Sequence, residues 1–183
     1  MTPTSSGAGQ VCGAKPPIGL FVAATNIEDL LLAFDQIPSP SPTVDTPICQ
    51  GSADQCTERH QFVLDDSIED VTIVGTVEVD GIQARLTLPG GSVVDLADRS
   101  GATGTVENGG TTITYSWPTS RSVKVRMSHA ANAASWPGVW ALTFADPAAS
   151  SGGQQARSSI QISTNLLPAL LSARPSPSGA RSR

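Results

Sequence analysis

Basic residues are scarce in this chain of 183 residues, with 11 Lys or Arg against 16 Asp or Glu and a formal net charge of −5. Lysine occurs only at Lys15 and Lys124. Binding a phosphate backbone needs a concentrated Lys/Arg face, so this balance argues against a nucleic-acid partner. Arg157, Arg174, Arg181 and Arg183 lie near the end, but they are scattered among Ser and Pro, as in a disordered tail. No apolar run approaches the roughly 18 residues that would span a bilayer. The opening MTPTSSGAGQ has neither the basic nor the apolar region of a signal peptide.

Catalytic signatures are also missing. There is no G-x-S-x-G, and the histidines are His60 and His129, both expected in loops. GATGTVENGG leads into a strand and not a helix, which excludes a phosphate-cradling loop. The chain is expected to be non-catalytic, with no cofactor and no metal site of its own.

The 3 cysteines carry compartment information. Cys49 and Cys56 bracket the polar loop CQGSADQC, and a bond between them restricts the unfolded chain by roughly 2.5 kcal/mol. Such a bond implies an oxidising compartment, hence an extracellular or cell-surface location. A zinc site is the weaker alternative, because four ligands are needed and only His60 lies nearby. Two free thiols are the remaining one. Cys12 is left over, and an odd cysteine in an exported chain points to a partner outside it.

Periodicity divides the chain. Ile18 to Ala24 is continuously apolar, as in a strand covered on both faces. Asn26 is placed to cap a helix with Asp29 three positions on. Ile27, Leu30, Leu31, Phe34 and Ile37 then form one helical stripe, and Pro38 ends it. Burying that stripe is worth on the order of 10 kcal/mol, provided a sheet receives it. No further strand-helix alternation follows to build one.

GLFVAATNIEDLLLAFDQI resembles the end of a von Willebrand factor type A domain, where a final strand leads through a small polar turn into a closing E-D-L-x-x-x-F-x-x-I helix. The resemblance spans Gly13 to Pro38. It implies that residues 1–38 are the last β-α unit of an α/β, Rossmann-like domain, with the rest of that domain upstream. It also implies a metal-ion-dependent adhesion site of the form Asp-x-Ser-x-Ser, which this chain lacks. Asp98, Ser100 and Ala102 come near that spacing, but Ala102 stands where the second Ser should be, and the segment reads as a polar hairpin loop.

PSPSPTVDTP marks a proline-punctuated linker, residues 39–48, after which the period changes from 3.6 to 2. Phe62 and Leu64 open a short strand. Val71, Ile73, Val77 and Val79 point one way, with Gly75 a bulge site, and Asp80-Gly81 is read as a tight hairpin into Ile82, Ala84, Leu86 and Leu88. A PGGS turn follows, and then strands marked by Ile113, Tyr115 and Trp117, by Val123, Val125 and Met127, by Trp140, Leu142 and Phe144, and by Ile160 and Ile162. About eight such strands predict a mainly β, antiparallel β-sandwich over residues 49–165, with a disordered tail over 166–183. LPGGSVV and PGVWALTFADP resemble the accessory sandwich that follows type A domains in bacterial extracellular proteins, a pattern shared with pre-peptidase C-terminal modules.

Asp65, Asp66, Glu69 and Asp70 form an acidic turn without calcium-loop spacing, read as solvated. Trp117 and Trp140 share strand faces with apolar neighbours and are assigned to the core. Trp136, between Ser135 and Pro137 in a loop, is the candidate contact surface. The sequence therefore predicts a non-catalytic extracellular binding or adhesion protein cut at both ends, its sandwich supporting or spacing a type A domain. The expected partners are a protein or matrix-type ligand, or a glycan, and the upstream type A segment. The alternative is an accessory module of a secreted hydrolase, pre-peptidase C-terminal-like or carbohydrate-binding.

Overall fold

Alternation of apolar and polar residues puts every second side chain on one face of a strand, and here it does so over most of the chain. The structure, a computed structural model, describes residues 24–35, 41–97 and 103–164. The predicted strand before the helix, the tail, Cys12 and the Asp98-Ser100-Ala102 segment lie outside the described residues, apart from Ala24.

Among the described residues there are one α-helix, α1 (Ile27–Asp35), and 11 strands, which corrects the expectation of about eight. The strands are β1 (Thr43–Pro47), β2 (Cys49–Gln50), β3 (His60–Leu64), β4 (Ile68–Thr76), β5 (Gln83–Thr87) and β6 (Val93–Leu96). They continue with β7 (Thr103–Asn108), β8 (Thr111–Thr119), β9 (Ser122–His129), β10 (Gly138–Asp146) and β11 (Gln155–Thr164). One sheet has 6 strands in the order β1-β11-β4-β9-β8-β7. The other has 5, in the order β2-β10-β5-β6 with β3 also on β10. All pairings are antiparallel except the short parallel contact of β2 with β10. The fold is mainly β.

The inward residues of both sheets build one apolar core. Ile82, Ala84, Leu86 and Leu88 are all buried, as are Ile113, Tyr115 and Trp117 from β8 and Val123, Val125 and Met127 from β9. Trp117 of β8 donates its indole N–H to the Leu96 carbonyl of β6 at 3.1 Å, so the core's one edge is tied across the sheets by a hydrogen bond as well as by packing.

Four features depart from the periodicity reading. The stretch read as a linker contains β1, an edge strand on β11 in which Thr46 is buried; Pro47 is tolerated there because it ends the strand. The glycine- and threonine-rich segment before residue 109 forms β7 on the opposite edge. Asp80-Gly81 turns the chain, with Gly81 at φ +81°, but it joins strands of different sheets and is no hairpin. Gly75 is not a bulge: it stays in register with both Ser158 and Val123. Its missing side chain makes room for a ring instead, since a Cβ there would stand 2.5 Å from Phe144 Cζ of the other sheet.

Candidate functional site

The helix begins where the sequence places it. Asn26 Oδ1 accepts the Asp29 N–H at 2.7 Å, and the Asp29 carboxylate reaches back to the Thr25 hydroxyl at 2.7 Å and its N–H at 3.2 Å. This reciprocal cap satisfies amides that a helix start leaves open. The Asp29 carboxyl is held below its ordinary value, chiefly by the Thr25 hydroxyl, with the Thr25 amide and Arg157 outweighing partial burial.

The predicted stripe docks only in part: half-buried Leu31 faces the sheet across a cleft, while the fully buried position lies outside the stripe. α1 lies on β4 and β11 of the six-stranded sheet, and Leu32, outside the stripe, is its buried apolar residue at 5% exposure. Ile27, Leu30 and Phe34 are 56%, 41% and 60% exposed. Polar contacts explain the rotation. Asp29 accepts from Arg157 of β11 at 2.8 Å, and Glu28 accepts from the Thr119 hydroxyl of β8 at 3.3 Å, which turns the Glu28-Leu32 side of the helix to the sheet. Arg157 also stands 3.7 Å from Asp45 and 3.9 Å from Glu78, so one cation gathers acids from three segments. Beneath the second turn of α1 a cleft of about 230 Å³ remains, walled by Leu31, Phe34, Val74 and Pro118, with Ser122 and Lys124 as its polar lining.

On the other sheet, Cys49 and Cys56 are joined by a disulfide, with Cα atoms 5.6 Å apart. The bond closes a loop whose 3₁₀ turn, Ala53–Gln55, is capped by Ser52 and rests against β10. Arg85 of β5 clamps it by pairing with Asp54 of the loop and with Asp95 of β6. Both hydrogen bonds hold the Arg85 guanidinium more firmly protonated, and that guanidinium pulls the Asp54 carboxyl down.

Trp136 is fully buried, which removes it as a contact surface. The loop folds inward because the indole N–H finds the carbonyls of Asp65 at 3.1 Å and Ile68 at 3.0 Å, and the ring packs edge-on to Trp140 at 6.0 Å. A loop position in sequence says nothing about this burial. His129 stacks on the other side of Trp136 at 4.6 Å, its ring nitrogens 2.8 Å from the Ala130 carbonyl and 3.0 Å from that of Ile68. Asp65 binds the Ser67 amide and hydroxyl within its own turn, which lowers its carboxyl, the hydroxyl contributing most. Among the described residues no group of three or more His, Cys, Asp or Glu side chains gathers into a metal site.

Sequence reasoning missed two polar contacts. His60, expected in a loop, opens β3, and its Nδ1 lies 2.6 Å from Oγ of Ser158 on the other sheet. Ser158 is fully buried, and this serine-histidine pair ties the two sheets together. Asp146 at the end of β10 accepts the Ser151 amide at 2.5 Å and the Ala148 amide at 3.0 Å, and Ser151 in turn meets the Gln50 amide at 2.5 Å. Burial opposes ionisation of Asp146, and the loop's combined hydrogen bonds overcome it and lower the carboxyl. An aspartate before Pro147 is the one sequence signal that pointed to such a turn.

No protein-family model matches the chain, and no curated protein matches it. No helix among the described residues is long and apolar enough to cross a membrane.

Proposed function

We propose that this chain is part of an extracellular, non-catalytic binding protein in which the two sheets form a β-sandwich that supports or spaces a type A domain. In this reading α1 is the closing helix of that domain. The observation that carries it is the outward side of α1: Ile27, Leu30 and Phe34 are each more than two-fifths exposed while the helix is already docked through its opposite, polar-clamped side. A closing helix of an α/β domain needs its apolar stripe against a sheet, and each of those half-exposed side chains gains about 1 kcal/mol when covered. The Cys49–Cys56 disulfide supports an oxidising, extracellular setting. The ligand of the complete protein is a protein or matrix component, or a glycan, bound outside this chain, whose residues do not include Asp-x-Ser-x-Ser.

The test is to express the chain together with the coding sequence that precedes it and to follow amide exchange over Ile27–Asp35 by mass spectrometry. Slower exchange at α1, by about tenfold or more, together with an upstream Asp-x-Ser-x-Ser, supports the reading. Unchanged exchange at α1, or a catalytic motif upstream in place of the adhesion motif, contradicts it.

A further inference from the structure

We propose that the cleft under α1 binds a small aliphatic carboxylate, its chain against Leu31, Phe34, Val74 and Pro118 and its head on the Lys124 ammonium. The walls come from the helix and from the outer face of the six-stranded sheet, and both contribute apolar side chains. The volume of about 230 Å³ is far more than a single water needs. It is also below the roughly 300 Å³ at which drug-sized pockets begin, which limits the occupant to a slender chain.

Charge selects the head group. Arg85, Arg121 and Arg157 are all committed to ion pairs, whereas Lys124 has no ion-pair partner among the described residues. Its strand positions it between Ser116 and Val74, neither of which can neutralise it. A lone ammonium at the polar lining of an apolar cleft matches one carboxylate and repels a cationic head. Phe34, 60% exposed at the mouth, is free to close over the chain of the ligand. The inference needs only the cleft as it stands in this chain and does not depend on the type A reading.

The experiment titrates the whole chain with sodium decanoate below its micelle concentration, following the methyl signals of Leu31 and Val74 by NMR, with decanol and decyltrimethylammonium as controls. Saturable shifts at both methyls are expected with decanoate. Lys124→Gln should weaken binding by about tenfold, the size of one charge-assisted hydrogen bond. Phe34→Ala should weaken it several-fold, and the cationic amphiphile should not bind there. Both substitutions sit on side chains with solvent access, and an unchanged amide spectrum verifies the fold. Absence of saturable shifts, equal binding of the cationic amphiphile, or undiminished affinity in Lys124→Gln each overturns the proposal.

Discussion

Nδ1 of His60 and Oγ of Ser158 lie 2.6 Å apart, joining β3 of one sheet to β11 of the other across the buried interior. Burial lowers the His60 pKa from 6.5, so the folded state prefers the neutral ring. In the window below 6.5 the unfolded chain binds the proton more readily than the folded one, and stability must fall as pH falls. Urea midpoints measured from pH 8 to pH 5.5 should decline, and the decline should shrink in His60→Gln. Equal slopes for both proteins would remove His60 from the account. Ser158→Ala should cost about 0.5–1.5 kcal/mol, because it takes the partner of a half-buried ring nitrogen.

Gly75 and Phe144 are a matched pair across the core. A methyl at residue 75 would press on the ring at 2.5 Å, so Gly75→Ala is expected to destabilise by about 1–3 kcal/mol through overpacking. Phe144→Leu removes the ring atom in question, and in that background the added methyl should cost distinctly less. A double-mutant cycle by chemical denaturation measures the coupling. Additive effects would mean that the two side chains do not meet.

Trp136 should behave as a core residue. Trp136→Ala is expected to cost about 3–5 kcal/mol in unfolding free energy. Trp136→Phe keeps the packing and loses the bonds to Asp65 and Ile68, so a smaller loss of about 1–3 kcal/mol is expected. Tryptophan quenching by acrylamide gives the independent check: a readily quenched Trp136 would restore it as a surface residue.

Reduction of Cys49–Cys56, or Cys49→Ser with Cys56→Ser, should lower stability by about 2.5 kcal/mol, the entropy of closing so short a loop. The comparison is made by denaturant titration with and without reductant. Arg85 keeps its clamp on Asp54 in either state, so the loop should stay docked, and a full loss of folding on reduction would show that the disulfide does more than close a loop.

Strand identity was legible in the sequence wherever one face is buried, because a period of two is imposed by burial itself. Ile113, Tyr115 and Trp117 or Val123, Val125 and Met127 could hardly be read otherwise. Pairing was not legible. β1 and β7 are Thr-rich edge strands with a single Val each, stabilised by neighbours' backbones and carrying little apolar signal of their own. The orientation of α1 was hidden for a related reason. Its stripe told which side is apolar, but Arg157 and Thr119, more than 80 residues away in sequence, determine which side is held. Trp136 was misread because indole N–H bonds to Asp65 and Ile68 carbonyls leave no trace in composition.

The docking of α1 with Leu32 inward and Phe34 outward is the relationship on which the functional reading rests. A helix of 9 residues is not stable alone, and here burial of one leucine, worth about 1.5–3 kcal/mol, adds to clamps of about 0.2–1 kcal/mol each. Residue-resolved amide exchange over Ile27–Asp35 in Leu32→Ser and in Phe34→Ser therefore tests the account most directly. The account predicts that Leu32→Ser abolishes protection of the helix while Phe34→Ser leaves most of it. Loss of protection in Phe34→Ser with retention in Leu32→Ser would mean that the apolar stripe faces the sheet, and no open face would remain for a type A domain to cover.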